Sequence, residues 1–141
     1  MRAAAIDLGT TRIGFAVSDE LGQLAHPRPY LPAASSGQLV EKLATLAQQE
    51  QIQVFVVGLP RTLDGREGPL ARRARKVAAA LKRRIGCRVV LVDERLSTAQ
   101  AHSQLMTLGF DAKERKGKVD SVAAALLLQT FLDAGEAGNT A

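Results

Sequence analysis

The sequence has a single cysteine, few aromatic residues and no long apolar run. Cys87 cannot form a disulfide within the chain, and we expect it to be a small buried apolar side chain in a reducing compartment. The longest apolar stretch, Val122 to Leu128, is far shorter than the ~20 residues that a transmembrane helix needs. The first residues also lack the basic and apolar pattern of a secretory signal. The sequence therefore predicts a cytoplasmic protein without disulfides and without a membrane span.

Positive charge is in excess and is unevenly distributed. Nineteen Lys and Arg residues against 14 Asp and Glu give a net charge of +5 and a pI of about 9.9, which favours a polyanionic partner, although a basic surface can also serve solubility alone. Nine of the basic residues lie close together in the sequence: Arg61, Arg66, Arg72, Arg73, Arg75, Lys76, Lys82, Arg83 and Arg84. Aromatic residues make up only 4% of the chain, so contacts to a nucleic acid would be to phosphate and shape, which does not separate DNA from RNA.

The hydrophobic pattern predicts one α/β domain spanning residues 1–141. Alternating apolar residues indicate strands over 2–8 and 12–18, joined by a turn at Gly9. A third strand, from Gln23 to about Tyr30, contains Pro27 and Pro29 and is therefore predicted to be either an edge strand or a short one.

Helices and buried strands alternate after this meander. The predicted elements are a helix from the capping residue Ser35 to about Glu50, a buried strand over 54–58, a helix from Pro69 to Gly86, a buried strand over 88–94, a helix from Ser97 to near Gly109, a polar stretch over 111–118, and a last helix from Val119 to about Leu132 with a frayed tail over 133–141. This order favours a mixed five-stranded sheet, a three-strand antiparallel meander plus two parallel strands, flanked by helices.

The segment AIDLGTTRIGFAVSD, residues 5–19, fits two kinds of protein. It resembles the start of actin-like and sugar-kinase ATPases, in which the Gly-Thr-Thr turn holds a phosphate. It equally resembles the start of ribonuclease H-like nucleases, in which the aspartate, here Asp7, holds a metal ion. An actin-like ATPase needs two lobes and a chain more than twice this length, so we keep a phosphate-binding ATPase-like lobe only as a remote alternative.

Acidic residues fall at the ends of three predicted elements. Asp7 ends the first strand, and Asp93 and Glu94 end the last one, where alternation sends their side chains to opposite faces. Asp120 lies on the apolar stripe of the last helix. Converging carboxylates are what hard divalent cations prefer, so the three ends together predict a metal site for phosphodiester chemistry.

Each acid also has a simpler structural interpretation. Asp7 could stabilise the turn before Gly9, the acids at 93 and 94 could cap a strand end beside Arg95, and Asp120 could be an ordinary first-turn acid favoured by the helix dipole. The metal site is favoured because all three ends carry an acid at once.

Four motifs in unbroken order carry a family resemblance. The segments AIDLGTTRIGFAVSD, VVGLPRTLDGREGP, VDERLSTAQA and VDSVAAALLLQTFL, within about residues 2–132, look like the successive motifs of the YqgF/RuvX family. That family is related to the RuvC Holliday-junction resolvase within the ribonuclease H-like superfamily. The resemblance implies a ribonuclease H-like fold and a metal-dependent endonuclease that processes the 5′ end of pre-16S rRNA or resolves Holliday junctions in branched DNA.

The resemblance also implies roles for individual residues. Asp7, Glu94 and Asp120 would be the catalytic acids and the metal ligands, with Glu94 preferred to Asp93 because the RuvC-like strand has its glutamate there. The expected cofactors are two Mg²⁺ or Mn²⁺ ions. Many ribonuclease H-like sites use a fourth carboxylate, for which Asp19 and Asp93 are the candidates.

Several polar residues are predicted to bind the substrate backbone: Thr10, Arg12, Arg95, Arg72, Arg73, Arg75 and Lys76. Arg12 and Arg95 could instead neutralise Asp7 or Glu94 as structural ion pairs. The rival function is a non-catalytic nucleic-acid-binding factor on the same fold. Whether the protein forms a homodimer, as a junction resolvase would require, stays open.

Overall fold

The computed structural model describes residues 1–32, 34–62, 64–96, 99–107 and 119–135. The strands are β1 (Arg2–Leu8), β2 (Arg12–Ser18), β3 (Ala25–Pro32), β4 (Ile52–Leu59) and β5 (Arg88–Asp93). The helices are α1 (Ser36–Glu50), α2 (Pro69–Ile85), α3 (Ala99–Thr107) and α4 (Val119–Ala134), and a short 3-10 helix, Glu94–Leu96, directly follows β5. None of the helices in the described ranges is long and apolar enough to cross a membrane.

The five strands form one sheet in the order β3-β2-β1-β4-β5. The first three strands pair antiparallel as a meander, β4 is parallel to β1, and β5 is parallel to β4. This confirms the predicted mixed sheet. Since β1, β4 and β5 run in the same direction, their carboxyl ends meet along one side of the sheet, which we call the carboxyl edge.

Local sequence signals determine where the two long helices begin and end. The Ser35 hydroxyl accepts a hydrogen bond from the Gln38 backbone N–H at 3.2 Å, and the Gln38 side chain accepts one from the Ser35 N–H at 3.3 Å, which is the predicted capping box of α1. Pro69 opens α2, and Gly86 closes it in a left-handed conformation with φ of 68°. Both helices therefore begin and end close to where the pattern placed them.

The sheet separates two apolar layers. The side chains of β1 alternate between them, with Ala4 and Ile6 facing α1 and α2 while Ala3 and Ala5 face α4. The layer against α1 and α2 is rich in large side chains from the helices, among them Leu39, Leu43, Val77 and Leu81. The layer against α4 includes Val54, Val56, Val90, Val92, Leu128 and Phe131.

Two predicted strands differ in detail from the structure. β3 begins at Ala25 and runs to Pro32, two residues later than predicted at each end. β5 was predicted to be buried on both faces, but only Val90 and Val92 are buried, whereas Val89 and Leu91 are partly exposed. The reason is that β5 pairs only with β4 and lies at an edge of the sheet.

One predicted helix end also differs. α4 continues to Ala134, so Asp133 and Ala134 belong to the helix and not to a tail. α3 is described over Ala99–Thr107, and its predicted end near Gly109 lies outside the described residues. The predicted cap at Ser97, the polar stretch over 111–118 and the tail over 136–141 lie outside the described residues.

A buried amide attaches α4 to the beginning of β3. The Gln129 side chain is fully buried, and its Oε1 accepts a hydrogen bond from the Ala25 N–H at 2.9 Å. Its Nε2 donates to the carbonyl of Gln23 and to Oδ1 of Asp133, both at 3.0 Å. Because this one amide satisfies a backbone donor and a backbone acceptor, it holds α4 in place over the meander.

We expect Gln129→Leu to lower the free energy of unfolding by about 1–3 kcal/mol for each of the two backbone groups left unpaired. Chemical denaturation measures this change, with Gln49→Leu as the control because Gln49 is an exposed glutamine of α1. Equal effects of the two substitutions would contradict the anchoring role.

Candidate active site

Strand alternation brings Asp7, Gly58 and Glu94 together at the carboxyl edge. Each of them lies two residues after the last buried residue of its strand that faces α4. Those buried residues are Ala5 in β1, Val56 in β4 and Val92 in β5. On the α4 side of the carboxyl edge, β1 and β5 therefore each carry an acidic residue. The strand between them, β4, carries a glycine at the same level.

The carboxyl groups of Asp7 and Glu94 are hydrogen-bonded to each other, and both residues are half-buried. The pKa of Glu94 is raised to about 8, chiefly by burial, then by the hydrogen bond to Asp7, and further by the negative charges of Asp7 and Asp93. Burial beside Asp7 therefore favours the protonated form of Glu94. The predicted acids of β1 and β5 do converge, and Glu94 is the residue of the 93/94 pair that faces Asp7.

Gly58 leaves the space through which Glu94 reaches Asp7. A Cβ atom at position 58 would lie 2.7 Å from Oε1 of Glu94 and 2.7 Å from Cδ1 of Leu127. Sequence reasoning missed this residue. The only signal was a glycine at the end of the buried strand VFVVG, a pattern that also fits an ordinary strand end.

A pocket of about 200 Å³ opens over the acid pair. Its lining consists of Asp7, Glu94, Ala123, Leu126 and Leu127, so α4 supplies an apolar wall opposite the two carboxyl groups.

The third predicted acid, Asp120, is the second residue of α4, one turn before Ala123. Its side chain lies outside the described part of the structure. Within that part, no group of three or more His, Cys, Asp or Glu side chains is arranged to hold a metal ion.

The turn between β1 and β2 lies beside Asp7 and is held from α2. Gly9 donates its N–H to the carbonyl of Arg12 at 3.0 Å, and a Cβ on Gly9 would lie 2.6 Å from that same oxygen. Arg73 of α2 donates to the carbonyls of Gly9 at 3.4 Å and Ala34 at 3.1 Å. Thr10 is exposed at the tip of the turn. Arg73, predicted to bind substrate, is thus engaged in supporting this turn.

Arg12 is exposed at the start of β2, with its guanidinium carbon 5.1 Å from the centre of the Tyr30 ring. Among the described residues it forms no ion pair with Asp7 or Glu94. Its charge is therefore available at the carboxyl edge.

Arg95 pairs with Asp93, at 2.8 Å, and not with either acid of the pair. The Asp93 carboxylate also accepts a hydrogen bond from the Arg95 backbone N–H at 2.9 Å, which caps the 3-10 helix that presents Glu94. The pKa of Asp93 is lowered by its hydrogen bonds to the Arg95 side chain, with Arg61 contributing a further favourable charge. The Asp93 carboxylate is therefore already bound by Arg95.

This pair belongs to a chain of alternating charges that runs from β5 to α2. Arg61 lies 3.8 Å from Asp93 and 3.5 Å from Glu67, and Arg75 binds both oxygens of Glu67 at 2.6 and 2.7 Å. Arg75, predicted to bind substrate, is therefore already paired.

Asp19, the other candidate for a fourth carboxylate, lies at the end of β2 that is opposite the carboxyl edge, since Ala4 pairs with Val17 and Asp7 with Gly14. Its Oδ1 accepts hydrogen bonds from the N–H groups of Gln23 and Leu24 at 2.7 and 3.3 Å. Asp19 stabilises a turn and cannot reach the acid pair.

Arg72 and Lys76 are exposed on α2, one helical turn apart. Neither forms an ion pair with a residue that the structure describes. Of the four predicted contacts on α2, these two remain available to a polyanion.

Comparison with known proteins places this chain in a family. The RuvX family model, described as Holliday junction resolvase, matches residues 1–134. A protein of Anaeromyxobacter sp. (strain K), named a pre-16S rRNA nuclease, is 41% identical over 133 residues, covering 94% of this chain and 97% of that protein. A protein of the same name from Halalkalibacterium halodurans is 36% identical over 135 residues, covering 94% of this chain and 96% of that protein.

The fold has a solved counterpart. T. thermophilus RuvC in complex with a Holliday junction substrate superposes with a TM-score of 0.65 and 18% sequence identity over 99% of each chain. This likeness confirms the predicted ribonuclease H-like fold. With a family match that spans residues 1–134 and relatives that align along nearly their whole lengths, the chain belongs to the RuvX family.

Proposed function

We propose that the chain is a divalent-metal-dependent nuclease that hydrolyses phosphodiester bonds in structured nucleic acid. The observation that carries this proposal is the contact between the half-buried carboxyl groups of Asp7 and Glu94 beneath an open pocket at the carboxyl edge. The names of its relatives support cleavage at the 5′ end of pre-16S rRNA, and the description of its family supports cleavage of a four-way DNA junction. Residues 1–141 would then form one nuclease domain that acts in the cytoplasm.

The donor set fits a hard divalent cation. Two carboxyl groups in contact repel each other when both are ionised, and here a proton on Glu94 removes that repulsion. A cation such as Mg²⁺ or Mn²⁺ can take the place of that proton, because carboxylate oxygens are its preferred ligands. We assign Asp7 and Glu94 as metal ligands. We assign Asp120 as the third ligand because its position precedes the pocket on α4. We expect the site to bind two metal ions. When bound, the ions would lower the pKa of a water and stabilise negative charge on the phosphate oxygens.

The remaining residues of the site bind and orient the substrate. The apolar wall of Leu126 and Leu127 limits the access of water to the acids and so strengthens their interaction with a cation. Thr10 and Arg12 lie on the strand turn next to Asp7, where a hydroxyl and a guanidinium can bind the phosphates that flank the scissile bond. Arg72 and Lys76 extend this phosphate contact along α2.

The two substrates make different demands on assembly. Symmetric cleavage of a four-way junction needs two active sites and therefore a homodimer, whereas a single cut in precursor rRNA needs one site. Light scattering in the presence of whichever substrate is cleaved relates the assembly to the reaction.

We expect the protein to cleave at least one member of a panel comprising a four-way DNA junction, duplex DNA, single-stranded RNA and a pre-16S 5′ leader. Cleavage should require Mg²⁺ or Mn²⁺ and should fall by more than about 100-fold in Asp7→Asn, since even residues that only support metal ligands commonly contribute 10–100-fold. Glu20→Gln is the control, because Glu20 is exposed and follows β2 at the far edge of the sheet. Binding without any cleavage would instead support the non-catalytic factor.

We expect Arg72→Gln and Lys76→Gln each to reduce the slope of log affinity against log salt by about 0.7–0.9, the value for one lost phosphate contact. A filter-binding or anisotropy titration at several salt concentrations measures this slope. Arg84→Gln removes the same charge from a guanidinium that already binds both oxygens of Glu41 at 2.8 and 3.1 Å, so its slope should change little. Equal slopes for all three variants would show that binding depends on net charge alone and not on contacts from Arg72 and Lys76.

In buffer with EDTA, we expect the free energy of unfolding to fall as the pH rises from about 4.5 to about 8. Below this range Glu94 is protonated in both states, but within it the unfolded chain releases the proton and the folded chain retains it, because the folded pKa is about 8. Glu94→Gln removes the titrating group, so the free energy of unfolding of this variant should fall less over the same pH range. Urea denaturation at pH 5 and pH 8 measures it, and identical pH dependence of the two proteins would contradict it.

A further inference from the structure

Glu94 and Asp7 are not on neighbouring strands. The sheet order is β1-β4-β5, and adjacent strands lie about 4.8 Å apart, so β4 runs between the strands that carry the two acids. The Glu94 side chain must therefore pass over β4 to make its hydrogen bond with Asp7.

Gly58 is the residue of β4 over which the Glu94 side chain passes. A Cβ at this position would lie 2.7 Å from Oε1 and 3.3 Å from Cγ of Glu94. Both distances are shorter than ordinary van der Waals contact, and the atoms concerned belong to the very side chain that makes the acid pair. An alanine would have to displace it.

The requirement for glycine at this position is steric and not conformational. The described glycines with positive φ are Gly22, Gly65, Gly86 and Gly135, so the backbone at Gly58 is one that other residues can adopt. A glycine in the interior of a strand is unfavourable relative to alanine because it loses more conformational freedom on folding. The chain accepts this penalty at the one point of β4 where the two acids meet.

We infer that Gly58 is a positioning residue for the acid pair: its missing side chain allows Glu94 to cross β4 and share a site with Asp7. The catalytic consequence of this inference rests on the proposed function. The steric requirement itself can be measured without any nuclease assay.

The first test measures Mn²⁺ binding by calorimetry and cleavage in Gly58→Ala. We expect Mn²⁺ affinity to fall about 10- to 100-fold, as it does when a group that orients a metal ligand is lost, and cleavage to fall with it while affinity for nucleic acid is unchanged. Gly37→Ala is the matched control, because a Cβ on Gly37 in α1 meets no atom within 4 Å. Unchanged Mn²⁺ affinity in Gly58→Ala would overturn the inference.

Leu127 must be separated from Glu94, since a Cβ at position 58 would also lie 2.7 Å from its Cδ1. Leu127→Val removes that atom, so the second test introduces Gly58→Ala into a Leu127→Val background, with Glu94 present or replaced by Glu94→Ala. Urea midpoints are measured for all four proteins. We expect Gly58→Ala to lower the midpoint, or to prevent folding, only when Glu94 is present.

Each outcome of this cycle decides the question. An equal loss with and without Glu94, or failure to fold in both backgrounds, would show that position 58 is constrained by something other than Glu94. Mn²⁺ affinity in Leu127→Val that is unaffected by adding Gly58→Ala would also overturn the inference. If the unaltered protein cleaves nothing, the proposed function fails, but the urea midpoints still report on Gly58.

Discussion

The hydrogen bond between the carboxyl groups of Asp7 and Glu94 imposes conditions on much of the fold. Two acids placed together away from water repel each other when ionised, so the folded chain must bind either a proton or a cation between them. The parallel run of β1, β4 and β5 brings both acids to one edge, and the 3-10 helix capped by Asp93 turns Glu94 toward β1. α4 lines one wall of the site with apolar side chains. The stability of this region is therefore linked to the occupancy of the acid pair.

Charge around the acid pair is arranged in two distinct ways. Asp93 lies directly beside Glu94 and raises its pKa, but Arg95 and Arg61 compensate the Asp93 charge through a chain of ion pairs that ends at Arg75 on α2. These guanidiniums are occupied within the protein. Arg12, Arg72 and Lys76 are exposed instead and form no ion pair with a described residue, so each contributes positive potential that can attract a polyanion. Counting cations along the sequence overstates the binding surface because it does not show which of them are paired.

The sequence predicted those features that depend on local pattern. Alternation in RAAAIDL and RIGFAVS defined β1 and β2, and Ser35, Pro69 and Gly86 marked helix ends, because caps and strand periods involve residues close in the chain. The convergence of Asp7 and Glu94 followed from both ending parallel strands. The steric role of Gly58 and the pairing of Arg75 with Glu67 depend on side-chain contacts that strand and helix periods do not specify. Strand direction alone argues against Asp19 as a fourth carboxylate, since β2 runs antiparallel to β1 and carries Asp19 away from the site.

The prolines of β3 have a consequence for the outer boundary of the sheet. β3 is an edge strand, and Pro27 and Pro29 are two residues apart, so their nitrogens point to the same side of the strand. That side lacks two of the N–H donors that an added strand would need. Extension of the sheet by another polypeptide, whether a second copy or an aggregating segment, is therefore disfavoured at β3.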